Sequence, residues 1–117
     1  MAKPKTISTE QLQQRLQQSD SLHFWNVLTD EYFKGEMIPG SRRVPLNTVG
    51  REVSDAKSPK DEEIIVYCGG PTCPQSLQAA QKLTDLGYTN VRAYEGGLEE
   101  WKNAGNKIER VEQATAA

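Results

Sequence analysis

Four consecutive apolar residues, Ile64-Ile65-Val66-Tyr67, follow the acidic triplet Asp61-Glu62-Glu63 and run into Cys68-Gly69-Gly70-Pro71. A short run of β-branched and aromatic side chains with no polar alternation specifies a strand buried on both faces. Such strands belong to parallel sheets covered by helices on each side. Cys68 then stands at the strand's C-terminal end. At that edge of an open α/β sheet, loops and helix N-termini offer unpaired N–H groups to ligands. A thiol placed there is a candidate nucleophile.

The rest of the chain supports the same architecture. Lys5-Thr6-Ile7 reads as a short edge strand. Ser8 and Gln11 then form a capping box, opening a helix with Leu12 and Leu16 on one face that ends near Ser19-Asp20. His23 to Leu28 is the next strand, and Thr29-Asp30 caps a short helical turn stopped by Gly35. Ile38-Pro39-Gly40 is a turn, Ser41 to Val44 a strand closed by Pro45, and the polar stretch Leu46 to Lys60 one weak helix with a loop. After the cysteine loop, Ala79, Ala80, Leu83 and Leu86 mark the best-defined helix, with Gly87 as its stop and Tyr88 packing back. Asn90 to Tyr94 is a strand, and Glu95-Gly96-Gly97 turns into a helix containing Trp101 that ends at Gly105. Trp25 and Trp101 read as packing residues, His23 as an ordinary, partly exposed histidine, and Glu95 as a turn residue. Alternating strands and helices specify an α/β fold, a three-layer α/β/α sandwich around a mainly parallel sheet.

At 117 residues the chain is one domain, with a core of about residues 5–106 and a C-terminal tail, 107–117, that has little to bury and frays. Net charge −2 and a pI near 5.4 leave no basic footprint for nucleic acid. No segment has the apolar length of a membrane span or a secretory leader, so the expected location is cytoplasmic. In that compartment Cys68 and Cys73 are expected as thiols rather than as a structural disulfide. With a single histidine, His23, they do not make up the ligand set of a structural zinc site, and no metal or cofactor is expected.

Ile38-Pro39-Gly40-Ser41 with Val44-Pro45, the strand end Val66-Tyr67-Cys68, Leu86-Gly87-Tyr88 with Asn90-Val91, and Glu95-Gly96-Gly97 with Trp101 occur in that order. Together they make the chain resemble the rhodanese-homology (sulfurtransferase) family from Ile7 to Gly105. The resemblance implies a five-stranded parallel sheet and a catalytic cysteine, here Cys68, in a loop that cradles sulfur. It also implies small sulfur-donor and acceptor molecules as partners, with a protein thiol as a further acceptor. The chain departs from the family pattern in three places. Cys73 stands where many members carry an arginine, the loop is longer than the common form, and an acid-base pair is missing at Asn26 and Leu28.

The chemistry can be read from the residues beside that resemblance. A sulfur-transferring thiolate attacks an outer sulfur, holds it as a persulfide and yields it to a second nucleophile. N–H groups of Gly69, Gly70, Thr72 and Cys73, with the dipole of the following helix, are expected to make Cys68 more acidic than a free cysteine. Pro71 and Pro74 remove two donors. Gln75 and Ser76 complete the active-site loop, and Ser76 and Thr72 either donate hydroxyls to the loop or cap the helix that follows, the commoner use. Cys73 is a candidate resolving thiol or a small loop filler. Arg43 is a candidate substrate holder or a solvated surface residue, and its strand neighbour Arg42 must face the other way. Three functions compete. They are sulfane-sulfur transfer through Cys68, a redox or persulfide-carrying interaction module using Cys68 and Cys73, and phosphatase or arsenate reductase chemistry. The last is ranked lowest because the loop is charge-neutral.

Overall fold

The computed structural model describes residues 5–18 and 22–110. Strands β1 (Lys5–Thr6), β2 (His23–Asn26), β4 (Arg42–Arg43), β5 (Ile64–Tyr67) and β6 (Val91–Tyr94) form a five-stranded sheet in the order β1-β6-β5-β2-β4. Every neighbouring pair is parallel. β5 lies at the centre, paired along its whole length with β2 and β6, so its backbone groups are satisfied on both edges. The fully apolar run thus occupies the place that water never reaches, and all four of its residues are buried.

Alternation along the strands divides the interior into two cores. Phe24, Ile65, Tyr67 and Tyr94 face one side, under helices α1 (Thr9–Gln18) and α4 (Gly97–Asn103), where Leu12, Leu98 and Trp101 close the layer. Trp25, Ile64, Val66, Val91 and Ala93 face the other side. There α2 (Val49–Ala56) contributes Val49 and Val53, and α3 (Gln75–Asp85) contributes Ala79, Ala80 and Leu83. Small residues on α3 let it lie close to the sheet. Burying each aliphatic side chain stabilises by about 1.5–3 kcal/mol.

Local signals decide the element ends. The Ser8–Gln11 capping box is formed reciprocally, each residue's backbone N–H donating to the other's side-chain oxygen at 3.1 Å. The expected end of that helix at Ser19-Asp20 lies outside the described residues. α3 ends in a Schellman motif, in which the Tyr88 N–H reaches Leu83 O and the Gly87 N–H reaches Thr84 O. Gly87, at φ +99°, takes the left-handed position this closure requires.

Several expectations are corrected. Leu86 does not join the buried stripe of α3; it is the C-cap and is 43% exposed. The expected short helical turn after Thr29 is present, with the Tyr32 and Phe33 N–H groups donating to Thr29 O, but the Thr29 hydroxyl bonds Gln75 instead of capping it. Leu46–Thr48 forms a 3₁₀ turn ahead of α2. Within the expected fraying tail, β7 (Glu109–Arg110) pairs antiparallel with β3 (Glu36–Met37). β7 buries little, but its Arg110 bonds to Glu36 across the pair. Among the described residues no helix is long and apolar enough to cross a membrane.

Candidate active site

β5 delivers Cys68 to the C-terminal edge of the sheet, where the chain turns out of the core. The Cys68 and Gly69 carbonyls accept hydrogen bonds from the Leu98 and Glu99 N–H groups at the start of α4, at 3.0 and 2.9 Å. Gly97 makes that approach feasible. A Cβ there would lie 2.3 Å from the Cys68 carbonyl oxygen, and the residue's φ of +57° is itself left-handed. The pair Gly96-Gly97 in the sequence therefore serves the cysteine loop from a distance, through the α4 contact.

The loop folds back on itself. Cys73 N–H donates to Gly70 O at 3.0 Å, closing a turn with Pro71 and Thr72 at its exposed tip. Gln75 then ties the start of α3 to the β2 side of the site. Its amide accepts from Thr29 N–H at 3.0 Å and donates to the Thr29 hydroxyl at 3.1 Å. α3 begins at Gln75 behind Pro74, with no side-chain cap, so neither Thr72 nor Ser76 has the expected capping role. Ser76 lies inside the first turn, fully buried, and its hydroxyl has no hydrogen-bond partner of ordinary geometry.

Cys68 is fully buried, and its thiol donates to the Cys73 carbonyl at 3.3 Å. Burial is the main reason its pKa is pushed up from 9.0 to about 11, and the adjacent Cys73 thiol pushes in the same direction. The Ser76 hydroxyl and N–H lie close enough to the sulfur to favour its thiolate, but they do not outweigh desolvation. This corrects the expectation of an acidic Cys68. Cys73 N–H, expected in the nest, is given to Gly70, and the loop prolines have no N–H to offer.

Beside the loop opens a cavity of about 780 Å³. Gly69, Gly70, Thr72, Cys73, Pro74 and Gln75 form one wall; Cys68 and Ser76 are fully buried and do not line the cavity. The opposite walls come from residues the sequence reading did not name. Leu28, Tyr32, Lys34 and Glu36 come from the β2–β3 region, Gln78 from α3, and Leu98, Glu99, Lys102 and Asn103 from α4. Lys102 pairs with Glu36 at 3.1 Å, and Glu99 lies against Gly70. The loop is neutral, and the site's cations are the two lysines of the opposite walls. Gln78, one turn beyond Pro74, and the Glu99/Lys102 pair on one helix face carry a periodic signal that could have flagged them. Lys34 and Glu36 carry none.

Arg43 does not line the cavity. Its guanidinium bonds to Asn26 O and Oδ1, to Leu28 O and to Asp30, and it stacks over the Phe33 ring at 4.0 Å. It clamps the end of β2 to the following turn, a role different from both the substrate holder and the solvated residue expected. Arg42 points the other way and pairs with Glu52. His23 pairs with Glu62, remote from the loop. Among the described residues no group of three or more histidine, cysteine or acidic side chains is placed to hold a metal ion.

The family profile of the rhodanese-like domain matches residues 8–104. A protein of Allochromatium vinosum named sulfurtransferase is 28% identical over 102 residues, covering 87% of this chain and 92% of its own. Human thiosulfate:glutathione sulfurtransferase is 28% identical over 113 residues, covering 86% and 96%. The crystal structure of the BH2092 protein from Bacillus halodurans superposes with a TM-score of 0.78 at 26% identity, over 91% of this chain and 77% of that one. The chain belongs to the rhodanese-like domain family, and sulfurtransferases are among its relatives.

Proposed function

We propose that the protein transfers sulfane sulfur through a persulfide on Cys68, taking it from a small anionic donor such as thiosulfate and passing it to a small charged thiol. The observation that carries this reading is the pairing of a buried thiol with an unspent donor. Cys68 sits at the edge of β5 beside Ser76, whose hydroxyl is buried and partnerless while the thiol keeps its proton. When the proton leaves, the Ser76 hydroxyl and N–H gain an anion to bond.

Loading begins with attack of the Cys68 thiolate on the donor's outer sulfur. A new S–S bond forms, the donor's own S–S bond breaks, and sulfite leaves with the electron pair. In discharge an acceptor thiolate attacks the outer sulfur and Cys68 leaves as a thiolate, stabilised again by Ser76. Lys34 offsets part of the negative charge of donor and acceptor beside a neutral loop, whereas Lys102 is held by Glu36. The cavity exceeds what thiosulfate needs and accommodates a tripeptide-sized thiol. Glutathione, named in the human relative, is the acceptor class that fits.

Intact-mass measurement after brief thiosulfate treatment of the Cys73→Ser protein should show one added sulfur, removed by cyanide. The same treatment of a Cys68→Ser variant should leave the mass unchanged. Sulfur retained in the absence of Cys68 would overturn the assignment.

A further inference from the structure

We propose that Cys73 discharges the Cys68 persulfide within the loop, forming a Cys68–Cys73 disulfide and releasing the sulfane sulfur as hydrosulfide. The protein then has a sulfide-releasing activity that needs no external acceptor for its first turnover. This inference rests on the reading of Cys68 as the sulfur carrier.

The geometry places the two residues in contact. Both cysteines are free thiols, and Cys68 Sγ lies 3.3 Å from the Cys73 carbonyl oxygen. Their side chains interact directly enough for Cys73 to disfavour the Cys68 thiolate. The turn closed by Cys73 N–H and Gly70 O holds Cys73 in place, and its half-buried side chain packs against the core that contains Cys68. Cys73 lines the cavity, whereas Cys68 does not and is fully buried. An external thiol must cross the cavity to meet the persulfide. Cys73 is already within the loop, and an intramolecular nucleophile so placed acts at a high effective concentration.

The inner sulfur of the persulfide, Cys68 Sγ, contacts the Cys73 residue through its carbonyl, and we take it as the atom that the Cys73 thiol attacks. Attack of the Cys73 thiolate there forms the Cys73–Cys68 Sγ–Sγ bond and breaks the bond from Cys68 Sγ to the outer sulfur. The outer sulfur leaves with the electron pair as hydrosulfide. The Cys73 sulfur is oxidised to disulfide level while the sulfane sulfur is reduced to sulfide and Cys68 Sγ keeps its level, so no outside oxidant is needed. A dithiol, or two equivalents of a monothiol, resets the loop.

The test treats wild type and Cys73→Ser with thiosulfate in the absence of any added thiol, followed by intact mass, released sulfide and iodoacetamide labelling. Wild type should lose a pair of hydrogens, release about one sulfide per chain and resist labelling at both cysteines until reduced with dithiothreitol. Cys73→Ser should keep its added sulfur and release less than about a tenth of that sulfide. Cys73→Ala serves as a second variant, and the unfolding midpoint of each reports that it is folded. Wild type that keeps the added sulfur, with no more sulfide than the variants, overturns the inference while leaving Cys68 as carrier. If no protein gains sulfur or releases sulfide, the persulfide reading itself fails, and the inference with it.

Discussion

Arg43 and Cys68 stand at the same edge of one sheet, at the ends of strands that flank β2 on either side, and their surroundings are opposites. Around Arg43 the donors are spent: two backbone carbonyls, the Asn26 amide oxygen, the Asp30 carboxylate and the Phe33 ring surround one guanidinium. Burial lowers its pKa and Asp30 opposes that change, and the group stays charged. Around Cys68 there is no charge, the thiol keeps its proton, and the buried Ser76 hydroxyl has no partner but the sulfur itself. A satisfied polar cluster stabilises the resting fold. An unsatisfied donor beside a nucleophile stabilises a charge that appears only during reaction.

The largest effect that could break this contrast is that of pH on Cys68. Burial disfavours the thiolate, so the folded protein holds the proton past 9.0, up to about 11. Alkylation of Cys68 in a Cys73→Ser background should climb about tenfold per pH unit from pH 7 to pH 10. Levelling at pH 8 would mean that the loop's donors outweigh burial. The same shift has a consequence for stability. The thiol form is favoured in the folded state, so this contribution is fully present below pH 9.0 and is lost as pH rises toward 11.

A smaller effect is expected from Ser76→Ala. Sulfur loading in stopped-time mass measurements should slow by about 10- to 100-fold, since one donor to a developing anion is removed. The unfolding midpoint should hold or rise, because the hydroxyl has no resting partner to lose. The reverse result, lower stability with an unchanged loading rate, would make Ser76 the same kind of residue as Arg43.

Smallest in its effect on chemistry is Arg43→Met. It should destabilise the fold by about 1–3 kcal/mol in urea titration, because buried acceptors at Asn26 and Leu28 lose their donor. Loading per folded molecule should not change. A folded Arg43→Met protein that no longer loads sulfur would return the guanidinium to substrate binding.

Much of the fold was legible because its signals are local. The β5 run, the Ser8–Gln11 box and the Gly87 closure each depend on residues within one strand or one helical turn, where spacing alone decides which groups meet. The pairing of Glu109–Arg110 with β3 was illegible, since two polar residues in a terminal segment carry no hydrophobic pattern and their partner strand is remote in sequence. Leu86 was misplaced for a related reason. The helical period assigns it to the buried stripe, but the chain has already left the sheet by that point. At the site, the loop residues were legible as a contiguous motif. Lys34, Glu36, Glu99 and Lys102 come from segments that approach only when the sheet edge is complete.

The sequence by itself determined that Cys68 ends a central buried strand and that a second thiol follows in a loop without charge. These are properties of neighbours along the chain. The tertiary structure alone decided that Cys68 keeps its proton, that Arg43 clamps β2, and that the cavity's cations are Lys34 and Lys102. Desolvation, ion pairing and the direction of a hydroxyl depend on what lies close in space, and in this protein those neighbours are supplied by α4 and by the turn after β2.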